Sequence, residues 1–211
     1  YKVHPVDVWK SEQFKVAFTR LNPNAKVPVI VDPQGPSGKP ITVFESGAIL
    51  LYLAEKTGQL LPKEGSARYE ALQWMMVQMT GLGPMSGQLV HFVRFAPKGN
   101  DYALSRYKTQ VATIHRVLDG RLGESRYLGG PDYGVADIAT FPWARLMETF
   151  FADFKAQHAN VARWLADIDA RPAVARALAA ADDVRGKIST FDKVAADNLD
   201  RIFQRGKYAV A

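Results

Sequence analysis

The chain reads as a small α/β domain followed by an all-α domain. Residues 24–56 carry two short β-branched runs, VPVIVD and ITVF, parted by a proline- and glycine-rich turn and followed by a stretch at helical spacing. A break follows at Gly58–Gly65, GQLLPKEG, where glycine and proline punctuate the chain. From Ser66 onward apolar residues recur every three or four positions. These features place an α/β domain at residues 1–60, a helical domain at 66–185 and a C-terminal extension at 186–211.

Taken in order, YKVHPVDV reads as an edge strand: Val3, Val6 and Val8 are apolar, and Pro5 cannot donate to a ladder. WKSEQFKVAFTRLNP follows as a loop and a short helix ended by Asn22-Pro23. Val27 to Asp32 and Ile41 to Phe44 are strands, with PQGPSGKP turning the chain between them. ESGAILLYLAEKTG is a helix with Ile49, Leu50 and Leu53 on one face, stopped by Gly58 just past its end. Beyond the break, Tyr69, Leu72, Met76 and Met79 share a helix face that reads as core or dimer surface, or as the adaptable wall of an apolar pocket. Gly81-Leu82-Gly83-Pro84 predicts a break or kink. The next helix stops at Pro97, and Asp101 to Leu122 is a helix with Leu104, Tyr107, Val111, Ile114 and Leu118 on one face. Ala136 to Phe150 is the apolar central helix, and two more helices part at Arg171-Pro172, with the proline in a first turn.

Composition narrows the function. The 211 residues are 47% hydrophobic and 23% charged, ordinary for a globular protein. No apolar run reaches the ~18 residues of a membrane span, and no signal peptide is visible. The net charge of +6 raises nucleic-acid binding as one reading, but the lysines and arginines are dispersed, which favours an anionic small ligand instead. With no cysteine, the chain has no thiolate nucleophile of its own, so any thiol chemistry must come from a ligand. The four histidines lie far apart with no metal-binding spacing, so no metal site is expected.

Two features of the organising stretch suggest a site. Pro28 at the mouth of an apolar strand allows a cis bond after Val27, which would leave the Val27 backbone free to pair with something extended. Glu45-Ser46 stands at a strand-to-helix junction. Ser46 reads as an N-cap, the helix start offers free N–H groups that hold a carboxylate, and Glu45 can hold an ammonium. Together they suit the α-amino-acid end of a ligand. A plain helix cap is the alternative reading of the same pair.

NPNAKVPVIVD and VFESGAILLYLAEKTG, with LQW at Leu72–Trp74 and GLGPMSGQ at Gly81–Gln88, resemble the thioredoxin-like N-terminal domain and adjoining helices of glutathione S-transferases, closest to the Nu class of disulfide-bond oxidoreductases. The resemblance runs to about Ala180. It implies that the Val27 amide before a cis Pro28 pairs with the cysteinyl backbone of glutathione, and that Glu45 and Ser46 hold its γ-glutamyl end. It further implies that Gln13, and the charge of Lys26, serve the glycyl end, and that Arg106 reaches the glutathione of a homodimer partner. His91, Phe92, Arg94 and Phe95 fall near the second-substrate pocket. Set against the family, Tyr1 falls at the second strand, so the first strand, first helix and thiol-activating segment are expected upstream, and no catalytic residue is assigned here. In the helix start at Gly134, where the family has Ser or Thr, half of a reciprocal cap is lost, and Asp137 reads as structural.

The implied function is a cytoplasmic glutathione-dependent enzyme that uses reduced or oxidised glutathione, acts on a disulfide or electrophilic small molecule, and binds neither nucleic acid nor membrane. Disulfide reduction leads, with conjugation or ether cleavage sharing the same pocket. A non-catalytic glutathione-binding regulatory or interaction module is the rival class. The charged extension, ending FDKVAADNLDRIFQRGKYAVA, is expected to pack over the cleft or a partner, or to stay mobile.

Overall fold

The computed structural model describes residues 1–209. Val210 and Ala211, the last two residues of the extension, lie outside the described residues. The chain forms two compact units, and they divide it elsewhere than at the glycine-proline break. One holds residues 1–49 together with 172–211, and the other holds residues 50–171.

In the first unit a two-stranded antiparallel sheet pairs β1 (Val29–Asp32) with β2 (Ile41–Phe44), in the register Val29 with Phe44 through Asp32 with Ile41. β1 starts two residues later than expected, because Val27-Pro28 stands outside the ladder. A short helix α1 (Val16–Thr19) precedes the sheet, and α2 (Ser46–Thr57) follows it, with the unit boundary inside α2. Gly58 sits past the end of α2 at φ +66°, the left-handed conformation that makes glycine the natural stop.

The N-terminal strand is corrected. Residues 1–7 have no regular structure, and a 3-10 turn follows at Val8–Lys10. Asp7 decides this locally: its carboxylate accepts from the N–H of Trp9 at 3.2 Å and of Lys10 at 3.3 Å. A side chain that takes backbone N–H groups competes with a sheet ladder for them.

The second unit is helical: α3 (Gly65–Met76), α4 (Gly83–Arg94), α5 (Asp101–Glu124), α6 (Val135–Met147), α7 (Phe154–Gln157) and α8 (Ala159–Asp169). α4 packs on α5, α3 on α6, and α5 on α8. Met75, Leu82, Leu89, Leu118, Met147, Trp164 and Ile168 form the buried core. At the expected break or kink, Gly81–Pro84, the helix is interrupted by a π-helical stretch, Val77–Leu82, with Pro84 in the first turn of α4, where its missing N–H costs no helical bond.

The core reading of the α3 face is corrected at Tyr69 and Met76. Ala71 and Met75 are buried, while Tyr69 and Met76 are exposed. The small residue allows the close approach: a Cβ on Gly129 would meet the Ala71 side chain at 3.1 Å. On α2, Ile49 and Ala54 are buried but Leu53 is exposed. On α5, Val111 and Leu118 are buried as expected, joined by His115 and Leu122.

Asp137 ties the central helix α6 to its surroundings. Its carboxylate accepts from the N–H of Gly134 at 3.0 Å, from that of Leu128 at 2.9 Å and from the Trp164 indole N–H at 2.8 Å. Burial pushes its pKa above the ordinary carboxylate value, against the pull of these hydrogen bonds. Glycine at 134 has a steric reason, because a Cβ there would lie 2.8 Å from the Leu60 carbonyl oxygen, which already accepts from Val135 at 2.9 Å. Gly134→Ser, which on paper restores the reciprocal cap, is therefore expected to lower stability by about 1–3 kcal/mol through overpacking. A rise in thermal midpoint would contradict this.

In the first unit the chain continues through α9 (Pro172–Arg185), a 3-10 turn at Phe191–Lys193 and α10 (Ala196–Ile202). α10 packs against the Val8–Lys10 turn. Among the described residues, no helix is long and apolar enough to cross a membrane, and no group of three or more His, Asp or Glu is arranged to hold a metal ion.

Candidate functional site

The strand ladder positions the site. Val29 and Phe44 form the outermost β1–β2 pair. The next residues outward are Pro28 on one strand and Glu45 on the other, then Val27 and Ser46. The Val27-Pro28 bond is cis. Val27 is half exposed, and none of the hydrogen bonds among the described residues uses its N–H or C=O.

Glu45 has φ +67°, unusual outside glycine, and its carbonyl accepts the first helical bond, from Ile49 at 2.9 Å. Glu45 is thus the cap residue and Ser46 the first residue of α2, one step inside the position expected for it. The N–H groups of Ser46, Gly47 and Ala48 precede that first bond and have no partner within the helix. They stand at its positive end. Ser46 is exposed, and its hydroxyl makes no hydrogen bond among the described residues. Left-handed backbone in a non-glycine residue is strained and concentrates at functional sites.

Two asparagines that sequence reasoning passed over hold this corner. Asn22 is buried and donates to the Lys26 carbonyl at 2.7 Å, while its side-chain oxygen accepts from the Asn24 N–H at 2.9 Å. Asn24 then donates to the Glu45 carboxylate at 3.4 Å. The signal was the Asn-Pro-Asn run itself, since asparagine side chains bond backbone groups in turns. Lys26 is exposed and forms no ion pair among the described residues.

Gln13 lies in a 3-10 turn, Glu12–Phe14, of the same unit. It is buried, and its side-chain oxygen has no hydrogen-bond partner among the described residues. An unpartnered buried polar atom is costly and calls for a partner. Arg106 is exposed on α5 of the second unit. In that unit His91 meets Phe92 edge-on at 5.4 Å, Phe92 stacks on Tyr107 at 5.5 Å, and Arg94 lies 5.1 Å over Phe150.

The corner thus offers one carboxylate, a helix start, a free hydroxyl and an open extended backbone. That set fits an amino-acid terminus attached to a peptide-like chain. The profile of the glutathione S-transferase N-terminal domain matches residues 1–55, and that of the C-terminal domain matches residues 101–167. A disulfide-bond oxidoreductase of Escherichia coli, YfcG, is 44% identical over 179 residues, covering 84% of this chain and 83% of its own. The chain belongs to the glutathione S-transferase family. Among solved members of this family, a glutathione transferase from Burkholderia graminis with two glutathione molecules bound per subunit is 46% identical, with a TM-score of 0.79 over 83% of this chain and 76% of that one. A glutathione transferase from Pseudomonas putida with one glutathione disulfide bound per subunit is 42% identical, with a TM-score of 0.79 over 83% of this chain and 79% of that one. In this transferase chain the N-terminal profile covers the two-stranded sheet and most of α2, and the C-terminal profile covers α5 through most of α8.

Proposed function

We propose that this family member is a glutathione-dependent oxidoreductase that reduces disulfides. The observation that carries the reading is the corner itself, where the exposed Ser46 hydroxyl and the free N–H groups of the α2 start stand beside the Glu45 carboxylate and the open Val27 backbone. The names of the similar proteins, a disulfide-bond oxidoreductase and transferases with glutathione or its disulfide bound, support the same assignment.

In this reading Ser46 and the helix start take the α-carboxylate of the γ-glutamyl end, and Glu45 takes its ammonium. Val27, before the cis Pro28, pairs with the cysteinyl backbone through its N–H and C=O. Lys26 and Gln13 serve the glycyl end. Arg106 serves the partner's site in a homodimer, its planar guanidinium being suited to bind a carboxylate with two hydrogen bonds. Bound glutathione supplies the thiol that this cysteine-free chain lacks. The setting is cytoplasmic, where thiols are kept reduced.

The test is calorimetric titration of the full-length protein with reduced and with oxidised glutathione, beside Ser46→Ala. Loss of a hydrogen bond to a charged group is expected to weaken binding by at least about tenfold. Failure of both forms to bind at millimolar concentration would overturn the reading. Turnover of a small disulfide, measured on the same protein, separates the enzyme from a non-catalytic binding module: binding without turnover would assign the latter.

A further inference from the structure

We propose that Asn198, near the C-terminus, is a positioning residue for Gln13, so that glutathione affinity depends on the C-terminal extension. The inference rests on the glutathione reading above and adds to it a residue remote in sequence from the site.

Gln13 is held at the second of two consecutive 3-10 turns, Val8–Lys10 and Glu12–Phe14. Ser11 joins them at φ +61°. A non-glycine residue keeps that conformation only when its surroundings impose it. Here the surroundings come largely from the other end of the chain. The Asn198 side-chain amide donates to the Trp9 carbonyl at 3.1 Å, and its oxygen accepts from the Ser11 hydroxyl at 3.1 Å. One side chain therefore spans the junction two residues before Gln13.

Three further contacts from the same segment flank it. The Ser189 N–H donates to the Asp7 carboxylate at 2.9 Å, the carboxylate that caps the first turn. Phe191 packs edge-on against Trp9 at 5.5 Å. The Arg201 guanidinium lies 4.5 Å over the ring of Phe14, the neighbour of Gln13. The Gln13 side-chain oxygen makes no hydrogen bond among the described residues. That oxygen does not anchor the residue, whose position is inherited from turns that the extension holds. A ligand group that satisfies the buried Gln13 oxygen profits only while those turns stay in register.

A double-mutant cycle on the full-length protein tests this. Glutathione affinity is measured by calorimetry for wild type, Asn198→Ala, Gln13→Ala and the double variant, with the thermal midpoint recorded for each. Asn198→Ala is expected to weaken binding three- to tenfold in the wild-type background and to have no further effect once Gln13 is Ala. Ser11→Ala, which removes only the hydroxyl facing Asn198, is a second and milder probe expected to show the same coupling. A merely structural Asn198 would lower the midpoint and leave affinity unchanged, or weaken binding equally in both backgrounds, and either result overturns the proposal. If wild type binds and responds to Ser46→Ala while the cycle shows no coupling, the positioning role alone fails. If wild type does not bind glutathione, both readings fall.

Discussion

Asp137→Ala is expected to destabilise the second unit by about 3–5 kcal/mol, the cost of taking one partner from a buried, charged hydrogen-bond centre. The residue is fully buried. Its removal orphans three donors at once: the N–H of Leu128, the N–H of Gly134 and the indole of Trp164. Water cannot cheaply reach two of them, since Leu128 and Trp164 are themselves fully buried. Asp137→Asn keeps an acceptor but turns a second donor toward one of these groups, so its loss should be smaller. Denaturant unfolding measures both. A change below about 1 kcal/mol for the alanine variant would show that the donors find other partners.

Acid should unfold the protein earlier than its surface charges alone would predict, through His115. This ring is fully buried on α5 and packs against Phe154 at 5.0 Å and His158 at 6.0 Å. Its Nδ1 donates to the Val111 carbonyl at 2.8 Å, which leaves Nε2 neutral and without a partner among the described residues. Burial lowers its pKa from 6.5 to about 4. Protonation would put a charge and an unmatched donor into an apolar site. Because the folded value is depressed, the unfolded chain takes the proton first. The stability is therefore complete above pH 6.5 and is lost as pH falls toward 4. The shift corresponds to about 3 kcal/mol across that window. His115→Phe removes the titrating ring while Val111 keeps its helical bond, and should flatten this limb of the stability curve. An unchanged slope between pH 6.5 and 4 would assign the acid limb to other groups.

Much of the candidate corner was legible beforehand. Pro28 at a strand mouth and Glu45-Ser46 at a strand-to-helix switch are local signals, and the ladder that sets them side by side follows from two short strands and one turn. Gly58 as a helix stop was equally local. Where the expected and observed structures part, a side chain or backbone conformation that the pattern does not announce is the cause. Val3, Val6 and Val8 carried a strand-like pattern, but the Asp7 carboxylate took the backbone donors and received Ser189 as well. Ser46 was placed one step too early because Glu45 adopts a left-handed backbone that its residue type does not announce.

The sequence alone determined the class of fold, the two strands with their turn and the chemistry of the helix start, because periodicity, turn residues and caps act within a few positions of each other. Tertiary structure decided which face of α3 turns inward, why residue 134 must be glycine, that His115 and Asp137 are buried, and that the Gln13 side-chain oxygen is buried without a partner among the described residues, in turns gripped by Asn198. Those outcomes depend on which groups meet across long stretches of chain, where packing space and unmatched hydrogen bonds decide between alternatives that local pattern leaves equal.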